Sequence, residues 1–166
     1  MFPARYPGLG NATIVGRWHN RTMARVVARA SVQMSAAPER VLDFLRDYRE
    51  SRERILTSNY TVYRVERGGK GEGTVYAYHF AAGRRERDYR LHVYESPGGL
   101  QESDQLSSFV TTWHVDPSPN GSEVTIESSW DGAGGIAGMF EGFFAPMGVR
   151  RIYAQMLAKL DEALKS

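Results

Sequence analysis

The chain has 166 residues, a length suited to one domain with a real hydrophobic core. It is 42% hydrophobic and 24% charged with a formal charge of +2, a balance that leaves no basic footprint for nucleic acid. Cysteine is absent, which excludes disulfides, thiolate metal sites and a cysteine nucleophile, and no run of about 18 apolar residues predicts a membrane-spanning helix.

Residues 1–22, "MFPARYPGLGNATIVGRWHNRT", mix Pro, Gly and Asn too often for a helix and lack the apolar stretch of a signal peptide. They are read as a flexible extension. Asn11 and Asn20 open glycosylation sequons, which carry no weight without secretion. Met23 stands directly before the first strand pattern, so it serves equally as the first residue of the natural chain. In "ARVVARASVQM" (24–34), Val26, Ala28, Ala30, Val32 and Met34 share one face and Arg25, Arg29, Ser31 and Gln33 the other, the alternation of a half-buried strand. Pro38 then suits a first helical turn, Glu39 favours its positive end, and Val41, Phe44, Leu45 and Tyr48 make a helical stripe. "RDYRESRER" (46–54) continues that helix or starts a second short one, with Arg46–Glu50, Arg49–Glu53 and Glu50–Arg54 at i,i+4. A solvated helix face is the reading preferred over an anion site.

From residue 57 on the period is two. "SNYTVYRVE" (58–66), "GTVYAYHFA" (73–81), "RDYRLHVYE" (87–95), "LQESDQL" (100–106), "SFVTTWHVD" (108–116) and "SEVTIESSW" (122–130) predict six strands. Between them GGKGEG, AAGR, SPGG and PSPNGS read as turns, and such short connections predict sequential antiparallel pairing. One strand, one or two short helices, six strands and a long helix make an α+β domain over residues 23–166.

Burial selects the register. If the PSPNGS hairpin pairs Val115 with Val124, then Trp113 meets Ile126, Thr111 meets Ser128 and Phe109 meets Trp130, and the two apolar faces coincide. The AAGR hairpin puts Tyr76, Tyr78, Phe80, Tyr89 and Leu91 on that same side. The inner face is therefore aromatic, with hydroxyls at Thr111, Ser128 and the tyrosines. To cover it the chain has one long amphipathic element, the C-terminal helix with Ile152, Tyr153, Met156, Leu157, Leu160 and Leu164. The helix opens on "GMFEGFFAPMGVRR" (138–151), where Gly142, Pro146 and Gly148 loosen a segment crowded with Phe140, Phe143, Phe144 and Met147. These four are expected to overhang the concave face as a gate over a pocket, which the wall hydroxyls favour over a dry core.

Taken together, the order of a first strand, "APERVLDFLRD", "GEGT", "YRLHVYESPGGL", "WHVDPSPNGSEVTIE" and a long last helix resembles the START-like (SRPBCC) superfamily, particularly its bacterial polyketide cyclase/dehydrase-like branch. The resemblance covers residues 24–165. It implies a helix-grip fold, in which a curved seven-stranded antiparallel sheet wraps the C-terminal helix around a hydrophobic ligand cavity. Two departures stand out: Ala37 occupies a position where relatives often carry a Ser or Asp cap, and residues 1–22 have no counterpart.

Chemistry-bearing motifs are sparse. His19, His79, His92 and His114 are scattered without ligand spacing, so no metal or other cofactor is expected. No G-x-S-x-G elbow occurs, and "DGAGGIAG" (131–138) lacks both the dinucleotide spacing and a P-loop Lys. The acid/base candidates are Glu102 and Asp104. Extending the register through SPGG pairs Val93 with Glu102 and turns both carboxylates inward, where burial among aromatics would make one a proton shuttle. A slip of one residue sends both into water, and exposed edge carboxylates are the reading favoured. The expected function is binding of a hydrophobic or polycyclic small molecule or lipid by a cytoplasmic monomer or homodimer. The alternatives are a polyketide cyclase or dehydratase, which needs an ionisable group in the pocket, and a co-chaperone, which needs an exposed apolar patch.

Overall fold

The computed structural model describes residues 25–83, 85–131 and 146–166. Strands β1 (Arg25–Met34), β2 (Tyr60–Arg67), β3 (Val75–Ala82), β4 (Arg85–Ser96), β5 (Gly99–Asp104), β6 (Val110–Ser118) and β7 (Gly121–Asp131) form one antiparallel sheet. Its order is β1-β7-β6-β5-β4-β3-β2. The hairpins of β2 to β7 result from their short turns, while β1 crosses to pair with β7 from Arg25 opposite Asp131 to Met34 opposite Ser122. Helix α1 (Pro38–Arg46) and a 3-10 helix (Arg52–Ile55) fill the β1–β2 connection, and α2 (Pro146–Lys165) lies over the sheet.

The registers are those that burial selects. Val115 faces Val124, Trp113 faces Ile126 and Thr111 faces Ser128. Tyr76 faces Leu91, Tyr78 faces Tyr89 and Val93 faces Glu102. Gly121, at φ +143, closes the β6–β7 turn where a Cβ would collide with the Met34 carbonyl oxygen, so only glycine lets β1 approach. The α2 stripe Val149, Tyr153, Met156, Leu157, Leu160 and Leu164 is buried, with Ile152 half-buried beside it.

In two places the chain departs from the expected periodicity. Helix α1 stops at Arg46 because the Asp47 carboxylate captures the next few residues: Oδ1 accepts the backbone N–H groups of Arg49 and Glu50, and Oδ2 accepts the Ser51 hydroxyl. With the helix ended, the expected i,i+4 pairs are replaced. Arg46 meets Asp43 at 3.7 Å and Glu95 at 3.1 Å, and Arg49 donates to the Gly68 carbonyl. The second departure lies in edge strand β2, whose register against β3 shifts between Thr61 and Arg64. There Val62 is 67% exposed and adopts φ +52, the left-handed region. Tyr60 and Tyr63, three residues apart, would face opposite sides of a regular strand; the bulge brings both to the concave side.

Candidate ligand-binding site

Between the sheet and α2 lies a cavity of about 30 Å³, room for one or two water molecules. Strands β3, β6 and β7 supply Tyr76, Tyr78, Thr111, Trp113 and Ile126; β2 adds Tyr60 and Tyr63, and α2 adds Tyr153 and Met156. Arg52, Leu56 and Glu102 complete the wall. On the other side of three tyrosines lies a smaller void of about 10 Å³ among Phe80, Tyr89, Phe109, Val149 and Ile152. Tyr60, Tyr78 and Tyr153 line both spaces and form the partition between them. Tyr60 packs edge-on against Tyr78 at 5.0 Å, and Tyr78 stacks on Tyr89 at 5.2 Å. The Lys159 ammonium donates to the Leu56 carbonyl at 2.8 Å and ties α2 to the exit of the 3-10 helix.

The polar end of the cavity is an ion pair. Arg52 Nη2 donates to Glu102 Oε1, and each side chain is only 4% exposed. Tyr48 donates to the same oxygen at 2.7 Å, and Trp113 Nε1 reaches Oε2 at 3.4 Å. The guanidinium lies 5.0 Å from the Tyr48 ring centre and 4.5 Å from that of Trp113. Burial works most strongly against the Arg52 charge, but the Glu102 carboxylate together with Tyr48, Tyr76 and Tyr63 outweighs it and holds the guanidinium above its ordinary value. Opposite the pair, Ser128 links the hydroxyls of Thr111 and Tyr153. Burial pushes the Tyr153 phenol up to about 12 and holds Tyr48, Tyr60, Tyr76 and Tyr78 well above their ordinary value. These phenols are donors and acceptors at neutral pH, not bases.

The residues expected from the sequence divide into several groups. Tyr76, Tyr78, Thr111, Trp113 and Glu102 line the larger cavity; Tyr89 and Phe109 line the smaller void. Leu91, Ser128 and Trp130 are buried behind these walls. Asp104 is buried as well, but it clamps a strand end: it accepts from Arg87 at 2.9 Å, from Ser107 at 2.6 Å and from the Arg90 backbone N–H at 3.2 Å. The favoured reading of Glu102 and Asp104 as exposed edge carboxylates is corrected, since the Val93–Glu102 register turns both inward. Each lies against an arginine and not among apolar side chains alone. Met147 is also corrected. It is 79% exposed, because α2 is already regular there and its phase sets Met147 opposite the stripe of Val149, Tyr153 and Met156. Phe140, Phe143 and Phe144 lie outside the described residues.

Arg52 was hidden in the sequence, because nothing in "RDYRESRER" separates it from the six other charged residues there. Tyr60 and Tyr63 were hidden by the bulge, while Tyr153 and Met156 were visible as part of the helical stripe. Among the described residues no group of His, Asp or Glu could hold a metal ion, and no helix is long and apolar enough to cross a membrane.

A seven-stranded antiparallel sheet gripping a C-terminal helix over an aromatic cavity defines the helix-grip, START-like class. Within it, the chain belongs to the polyketide cyclase / dehydrase and lipid transport family, whose sequence pattern matches residues 23–165. The solution structure of the KanY protein is 38% identical, with a TM-score of 0.79 over 87% of this chain and 100% of that one. Ginseng major latex-like protein 151 from Panax ginseng shares the fold at 12% identity and a TM-score of 0.61, over 84% of this chain and 96% of that one. So does a norcoclaurine synthase point mutant from Thalictrum flavum in complex with a transition-state analogue, at 12% identity and a TM-score of 0.65, over 85% and 94%. No curated protein matches the chain. Family and fold together support ligand binding as the general function.

Proposed function

We propose that the protein binds a hydrophobic or polycyclic molecule, or a lipid, between the sheet and α2, and carries or sequesters it in the cytoplasm as a monomer or homodimer. The observation that carries this reading is the tyrosine partition. Two voids share Tyr60, Tyr78 and Tyr153 as a common wall, side chains on three different elements. Drug-sized ligands need hundreds of Å³, far more than the two voids hold together, so entry requires these rings to swing aside and the walls around them to part. Burying about 250 Å² of apolar ligand surface contributes about 6 kcal/mol before the entropic cost of association. Titration with the neutral dye Nile red, followed by displacement with an organic extract of the source cells, tests it. A saturable and displaceable signal is expected; its absence would leave a solid core.

One observation favours a second reading as a cyclase or dehydratase: Glu102 is an ionisable group in the cavity wall. On that reading Glu102→Gln abolishes turnover of a poly-β-ketone substrate while Nile red binding persists. On the binding reading the wild-type protein shows no turnover to lose.

A further inference from the structure

The cavity wall holds one charged donor with no acceptor. Arg52 stands in the wall, and its Nη1 is fully buried without a protein acceptor. A guanidinium cannot shed its protons, and a buried N–H left without an acceptor is costly, so this edge of the side chain calls for an oxygen. The nearby carboxylate is already engaged: Glu102 Oε1 receives Arg52 and Tyr48, and Oε2 receives Trp113. Thr111, Ser128 and Tyr153 are three hydroxyls joined by two hydrogen bonds, which leaves one O–H in that chain to donate. Two of the three, Thr111 and Tyr153, line the cavity.

Charge narrows the choice further. Arg52 and Glu102 cancel one another, so the wall carries no net charge. A carboxylate ligand would bring an uncompensated negative charge into the interior. An ammonium would face Arg52 and find no free carboxylate. Both carry a desolvation cost that nothing in the wall offsets. We infer that the ligand, on the binding reading above, presents a neutral carbonyl oxygen to Arg52, as a ketone, quinone or ester does, and that the site discriminates against acids and amines of the same skeleton.

The test compares four probes on one ring system by Nile red displacement at neutral pH: 2-acetonaphthone, 2-ethylnaphthalene, 2-naphthoate and 2-(aminomethyl)naphthalene. The ketone is expected to bind about tenfold more tightly than the hydrocarbon, in line with a hydrogen bond to a charged donor less the desolvation of the carbonyl. The two ions are expected to bind more weakly than the hydrocarbon. In the infrared, the carbonyl band of bound 2-acetonaphthone should lie below its position in an alkane solvent. The double variant Arg52→Met/Glu102→Gln removes both charges and should abolish the ketone's advantage over the hydrocarbon. If that variant does not fold, the probe series and the infrared band on the native chain decide alone. Equal affinity for ketone and hydrocarbon, or tightest binding by naphthoate, with Nile red binding intact, overturns the inference and leaves the binding reading standing. If neither Nile red nor any probe binds saturably, both fall.

Discussion

Replacing Arg52 with methionine asks whether the buried ion pair is built as one unit. Methionine keeps most of the stem between the Tyr48 and Trp113 rings but leaves the Glu102 carboxylate, 4% exposed, with only the Tyr48 and Trp113 donors. Leaving one member of a buried pair uncompensated costs about 3–5 kcal/mol. Glu102→Gln still offers Tyr48 and Arg52 an acceptor, but a neutral one, and should cost about 2–3 kcal/mol. In the double variant neither charge remains and the amide still accepts from Tyr48, so the loss should be only about 1–3 kcal/mol. The cycle therefore predicts a coupling of at least about 2 kcal/mol. Domains of this size are stable by about 5–15 kcal/mol, so all three variants should fold. Urea unfolding followed by far-ultraviolet circular dichroism measures each value, with an unchanged slope showing that the folded state is conserved. If the double variant costs the sum of the singles to within about 0.5 kcal/mol, the pair is not a unit and the reasoning fails.

Three more expectations concern the rest of the cavity and its walls. Burial raises the phenols of Tyr48, Tyr60, Tyr76 and Tyr78 well above the ordinary 10.0 and that of Tyr153 to about 12, so the unfolded chain releases these protons first. Stability should hold below pH 10 and fall as the pH rises from 10 towards 12, with tyrosinate at these five residues appearing together with the loss of circular dichroism; their ionisation in the folded protein near pH 10 would contradict the burial. Val62→Asn places a residue tolerant of the left-handed region at φ +52 without losing buried surface, and should raise stability by about 0.5–1 kcal/mol in the same urea assay; a loss would mean that the bulge is not strained. Met147→Ala, at 79% exposure, should change stability by less than about 0.5 kcal/mol, whereas Leu157→Ala, at 1%, should cost about 2–5 kcal/mol; comparable losses would put Met147 in the core after all.

Much of the sheet was legible because its information is local. Alternation assigns each side chain of β6 and β7 to a face, and a short turn between them leaves one register in which Trp113 meets Ile126 and both apolar faces coincide. The same logic carried through SPGG to Glu102, and the 3.6-residue stripe from Tyr153 to Leu164 identified the covering helix. Met147 faces away from the core because helical phase, not the glycines and Pro146 around it, sets its side of the helix.

From periodicity, turn lengths and the balance of charge, the sequence by itself determined an α+β chain with an aromatic concave face and a helix to cover it. Only the tertiary structure decided that β1 closes onto β7, that a bulge at Val62 turns both Tyr60 and Tyr63 inward, and that Arg52 is buried against Glu102, 50 residues further along. The reason is physical. Faces and registers depend on neighbours two to four residues apart or across one turn, whereas the burial of a charge depends on a distant counter-charge that the surrounding sequence does not encode.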